Sequence, residues 1–201
     1  NRGDKAERLA ALLDAIAEVY ASTFSPDPIQ YRSERGLLEY HEEMAVMIQP
    51  VVGGRVGRYF LPAFSGVGLS NNELRWSPRI RRQDGLLRLV PGLGTRAVDR
   101  LADDYPMLAA PGQPGLRVNT SPADVARYSP KKLDVIDLLA NRFDTLDVRA
   151  FLRECGNQWP VVRQLLGVYD GDRLRRVTGL GPDFEREDVI VTFEGLLSDT
   201  P

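Results

Sequence analysis

The sequence has one cysteine, Cys155, and one histidine, His41. A lone thiol excludes an internal disulfide and a cysteine-rich zinc site, and it fits a reducing cytosol. A lone imidazole excludes any centre that needs two histidines. It also excludes Ser-His-Asp or Cys-His catalysis unless His41 is itself the base. A dominant charge sign is missing too: 26 Lys and Arg stand against 28 Asp and Glu, a formal balance of −2. No general basic field therefore draws the chain to nucleic acid or to an anionic membrane. No apolar run approaches the roughly 18 residues of a membrane span. The longest candidate, residues 44–52, is interrupted by Gln49 and Pro50. The chain starts without Met and without an apolar signal region, so the expectation is a cytoplasmic protein and a piece excised from a longer one.

What is present has a globular composition. With 201 residues, 43% of them apolar and 8% aromatic, the chain suffices for a buried core in one large domain or two small ones. Leu9, Leu12, Leu13, Ile16, Val19 and Tyr20 recur at three- and four-residue spacing and predict an amphipathic helix. Asp4 and Glu7 have the spacing of its N-cap and N3 partner. Ser25-Pro26-Asp27-Pro28 stops it, and a shorter helix is expected over residues 29–40, with Gly36 as its weak point. Residues 44–49 read as a compact buried strand ending in the turn Pro50-Val51-Val52-Gly53-Gly54.

Residues 56–64 and 66–69 read as one strand bent at Pro62, and residues 85–90 as another. Pro91-Gly92-Leu93-Gly94 then turns into a short helix opened by Thr95. Residues 110–122 read as a loop, 144–153 and 159–166 as helices, and 189–193 as a strand. Strands joined by turns with few helices between them predict an α+β fold with a mainly antiparallel sheet flanked by helices.

Several segments have chemical potential, each weighed against a structural reading. The turn from Val90 to Arg96 is a strand, a glycine turn and a helix start, which together can present N–H groups to an anion. It lacks the Lys-Ser/Thr ending of a P-loop and the third glycine of a dinucleotide fingerprint, which favours an ordinary tight turn. Arg75-Trp76-Ser77-Pro78-Arg79-Ile80-Arg81-Arg82 is the only basic cluster. It suits RNA or phosphate, but pairing with Glu73 and Asp84 on a solvated hairpin is the plainer account. His41 beside Glu42 and Glu43 reads as a surface residue. Cys155 reads as a structural thiol, and Asp103-Asp104 as a cap or turn rather than a metal site.

The run Glu43-Met44-Ala45-Val46-Met47-Ile48-Gln49-Pro50-Val51-Val52-Gly53 strongly resembles the "EKMAVLVQ-x-VV" segment of the phosphoenolpyruvate synthase and pyruvate phosphate dikinase family, in its N-terminal PEP/pyruvate-binding domain. Phe64-Ser65-Gly66-Val67-Gly68-Leu69-Ser70 resembles the family's "SGV" strand. Gly92-Leu93-Gly94-Thr95-Arg96-Ala97-Val98 resembles its "GLGE-x-VV" turn, with Thr95 where Glu is usual. The matches run in the family's order over roughly residues 15–138.

The resemblance implies an ATP-grasp-like lobe. Residues 1–138 would be part of the nucleotide-binding domain, and 139–201 a continuation or branch-specific subdomain leading to a final strand. It implies that Gln49, Pro50, Val51 and Val52 form the hinge whose backbone reads adenine, with Thr95 and Arg96 near the phosphates. Because Pro50 has no N–H, the donor would come from Val51 or a neighbour. ATP and Mg are the implied cofactors, with the magnesium ligands, the phosphate-binding Lys and Arg-Ser-Ser segment, and the phosphocarrier histidine all outside this stretch.

The implied parent is a phosphotransferase passing phosphate from ATP through histidine to pyruvate or a related acceptor in other domains, with this fragment alone inactive. No nucleic acid, no membrane and no metal ligand of its own are expected. The alternative is a catalytically inactive ATP-grasp-derived binding or interaction module.

Overall fold

The computed structural model describes residues 3–41, 43–98, 104–181 and 187–198. The chain divides into two compact units, Asn1–Val51 and Val52–Pro201.

The first unit has two helices followed by a stretch without regular secondary structure. Helix α1, Lys5–Ser22, starts where Asp4 accepts from the amides of Ala6 and Glu7 while the Glu7 carboxylate accepts from the amide of Asp4. That reciprocal box satisfies donors the helix itself cannot. Helix α2, Pro26–Glu34, begins on proline, whose missing N–H costs nothing in a first turn. It ends earlier than expected. Leu37 N–H donates to the Arg32 carbonyl and Gly36 N–H to that of Ser33, with Gly36 at φ 66°. Gly36 is therefore a terminator in the left-handed region, not a weak point inside a helix. Neither helix buries a residue: Leu9 and Leu13 on the apolar face of α1 are 53% and 55% exposed.

The segment read as a buried strand, residues 44–49, has no regular secondary structure and pairs with no described strand, and Met47 is 79% exposed. Apolar composition favours a strand only where a ladder partner exists, and none is present among the described residues.

Among the described residues the second unit contains three antiparallel sheets. One orders β1 (Gly54–Val56), β2 (Tyr59–Leu61), β6 (Lys132–Asp137) and β7 (Arg142–Asp147) side by side. Another joins β3 (Phe64–Leu69), β4 (Leu86–Pro91) and β5 (Met107–Ala109), and a third has β8 (Leu166–Tyr169) between β9 (Leu174–Arg176) and β10 (Asp188–Val191). The antiparallel α+β expectation holds, though as three small sheets rather than one.

The single strand expected from residue 56 is a hairpin plus a separate strand. Val56 pairs with Tyr59 across Gly57-Arg58, and Gly57 takes φ 57° at the first turn position. The helix expected from residue 144 begins four positions later, as α5, Val148–Cys155, capped by Asp147 accepting from Ala150 N–H. Residues 144–147 belong instead to β7. The short helices α3 (Thr95–Val98), α4 (Pro122–Tyr128), α6 (Val162–Leu165) and α7 (Glu194–Ser198) also belong to the unit. Position 138 lies in the β6–β7 turn.

One apolar core joins the first sheet to α5 and the third sheet through Tyr59, Leu133, Val135, Phe151, Trp159, Leu165, Val191 and Phe193. The Phe151 ring lies 5.8 Å from Tyr59 and 5.3 Å, edge-on, from Trp159.

Candidate functional site

Residues 49–52 keep their backbone unengaged. Among the described residues no hydrogen bond joins any group of residues 45–53, and Val51 and Val52 are exposed. The stretch therefore offers free N–H and C=O groups beside apolar side chains, the chemistry that recognises a heteroaromatic edge.

Thr95 and Arg96 sit in a different setting, at the turn from β4 into α3. Gly92 adopts φ 73°, and its carbonyl accepts from Ser65 Oγ at 2.8 Å. It forms a single parallel bridge to Asp134 of β6, and Leu93 N–H donates to the Asp134 carbonyl at 2.9 Å. The Asp134 carboxylate is 3% exposed. It accepts from Thr95 Oγ1 on one oxygen and from Thr145 Oγ1, at 2.7 Å, on the other.

Arg96, also buried, spans two carboxylates. Its Nη1 is 3.8 Å from Asp134 and its Nε 3.6 Å from Asp104. Asp104 in turn accepts from the backbone amides of Lys131 and Lys132 at 2.8 and 3.0 Å. A buried guanidinium needs such anions, since burial without them is costly. The resulting network clamps the turn to β6. Chemically it can hold a backbone conformation; its side chains are directed at one another.

The other segments singled out in the sequence are structural. In the basic cluster Arg82 pairs with Glu73 at 2.7 Å, the Arg81 amide donates to Asp84, Ile80 is buried and the Trp76 indole donates to the Leu116 carbonyl. Asn72, fully buried, accepts from the amides of Leu74 and Arg75 and holds Arg75 at φ 36°. His41 is exposed. Cys155 is buried, and burial followed by the neighbouring Glu154 carboxylate pushes its thiol up to about 11, away from nucleophilic character. Asp104 is a network carboxylate, as above, while Asp103 lies outside the described residues. Among the described residues no group of three His, Cys, Asp or Glu side chains is placed to hold a metal, and no helix is long and apolar enough to cross a membrane.

Asp134 and Thr145 were not singled out by sequence reasoning. The available signal was Asp134 itself, an ionisable residue inside the apolar run Leu133-Asp134-Val135-Ile136, because such groups enter a core only with partners.

No curated protein and no solved structure matches the chain. The family described as "Pyruvate phosphate dikinase, AMP/ATP-binding domain" matches residues 6–147. That stretch holds both the unengaged segment and the clamped turn, and it is well over half of the sequence. The chain therefore belongs to the pyruvate phosphate dikinase AMP/ATP-binding domain family.

Proposed function

We propose that this chain supplies part of an ATP-grasp-like nucleotide-binding domain in an ATP-dependent phosphotransferase of the pyruvate phosphate dikinase type. Its residues 49–52 would form the adenine hinge. The observation that carries the reading is the unengaged, exposed backbone of residues 49–52, inside the stretch that matches an AMP/ATP-binding family. Adenine presents an amino donor and a ring-nitrogen acceptor on one edge. The carbonyl of Gln49 or Pro50 accepts from the amino group, and the Val51 N–H donates to the ring nitrogen, because Pro50 has none to give. The side chains of Val51 and Val52 cover the faces of the base.

In this reading Thr95 and Arg96 serve the phosphate side indirectly. Their own side chains are engaged with Asp134 and Asp104, so they act by fixing the turn's backbone. Magnesium would come with the nucleotide's phosphates and take its protein ligands from outside the described residues. The histidine carrier and the pyruvate site belong to other domains of a cytoplasmic parent.

One observation favours a second reading, an inactive binding module: Arg96, expected near phosphate, is buried among carboxylates.

Calorimetric titration with Mg-ATP separates the two. In the protein carrying all of its domains, Val51→Pro removes the proposed donor and is expected to weaken ATP at least tenfold, while Val51→Ala, which keeps the N–H and loses only part of the apolar cover, weakens it several-fold less. An unchanged affinity in Val51→Pro sinks the hinge, and no ATP binding by the unmodified protein favours the inactive module. The 201-residue chain alone is expected to bind ATP weakly.

A further inference from the structure

The second and third sheets each end in an edge strand, β5 and β10, and neither ladder continues across the space between them. Helix α4 bounds that space, leaving a cavity of about 450 Å³. Its volume is within the range of small-molecule sites, roughly 300–1,000 Å³. None of residues 49–52, Thr95 or Arg96 lines it.

The lining is mostly apolar, with Met107 and Leu108 from β5, Val191 from β10 and Val125 from α4. Two aromatic rings stand at its side: Tyr105 and Tyr128 meet edge-to-face at 5.4 Å and 80°. A planar ring can extend that aromatic contact.

Asn119, Ser129 and Glu194 add polar groups to the lining, and Arg117, whose side chain is only 17% exposed, adds its cationic donor. Its Nε pairs with Glu194 at 3.2 Å and its Nη1 donates to the Pro114 carbonyl. A guanidinium has five N–H donors in a fixed plane, and these contacts use two of them, so others remain for a ligand. Glu194 places a carboxylate 3.2 Å from that guanidinium. A second anion at this end would meet the carboxylate, whereas a neutral acceptor would not.

We propose that this cavity is a binding site for an uncharged, planar aromatic molecule with a carbonyl on its rim. The ring lies on the apolar floor beside the tyrosines and the carbonyl accepts from Arg117. The site is separate from the proposed hinge and does not rest on it.

Fluorescence titration of the intact chain tests this with two bicyclic probes, neutral 2-quinolone and anionic 2-naphthoate. Saturable one-to-one binding of 2-quinolone is expected, at least tenfold tighter than 2-naphthoate. Val125→Trp fills the cavity and is expected to abolish binding, and Arg117→Met to weaken it about tenfold. Should Val125→Trp fail to fold by circular dichroism, Val118→Trp at the same cavity takes its place. Absence of saturable 2-quinolone binding, equal or tighter binding of 2-naphthoate, or unchanged binding in a folded cavity-filling variant would each overturn the proposal.

Discussion

Gly92 is the residue on which the clamped turn depends. Its φ of 73° is one that side-chain-bearing residues rarely adopt, and a Cβ there would lie 2.6 Å from the Asp134 carbonyl oxygen. That oxygen accepts the Leu93 amide, so it cannot retreat without breaking the link between β4 and β6. Gly92→Ala is expected to destabilise the second unit by about 2 kcal/mol or more. Urea denaturation followed by tryptophan fluorescence measures this, and an unaltered midpoint would contradict it. Gly54 marks the contrast: a methyl group added there would have no atom within 4 Å, so alanine meets open space.

At the scale of elements, local chemistry decides where chain segments start and stop. The Asp4–Glu7 box at α1 is such a device, and Asp4→Ala is expected to cost that helix end about 1 kcal/mol. Hydrogen exchange of the amides of Ala6 and Glu7 should then quicken roughly fivefold; no change would mean the box is not formed in solution. This locality is why α1 was legible from sequence, cap included. The strand of residues 44–49 was not, because apolar composition reports what a segment would bury and is silent on whether a partner is in reach. Gly57 was passed over inside an apolar run although its left-handed backbone makes the β1–β2 hairpin. Asp144 to Asp147 read as the start of a helix, yet these residues pair with β6 over the whole length of β7. The candidate site shows the same division. Residues 49–52 and 92–96 stand out as candidates in the sequence because their patterns are contiguous, while Thr95 and Asp134 lie 39 positions apart and only the fold joins them.

For the molecule as a whole, the two units differ in how they are held together. The second unit has a continuous core, whereas α1 and α2 bury nothing and residues 45–53 make no hydrogen bond among the described residues. Brief thermolysin digestion is expected to cut first at Met47, Ile48 or Val51, releasing a fragment that begins near Val52 and melts cooperatively. Protection of that segment in the free chain would show that it is paired in solution.

The aromatic cluster of Tyr59, Phe151 and Trp159 has a further consequence. The family match ends at residue 147, on the last residue of β7, while Phe151 and Trp159 lie beyond it and pack on Tyr59 within it. The family match and the packed core thus cover different lengths of chain. A chimera that borrows only the shared family portion would transplant a sheet stripped of its aromatic backing. A working splice junction is expected to lie past the third sheet, whose Val168, Val189 and Val191 share that core.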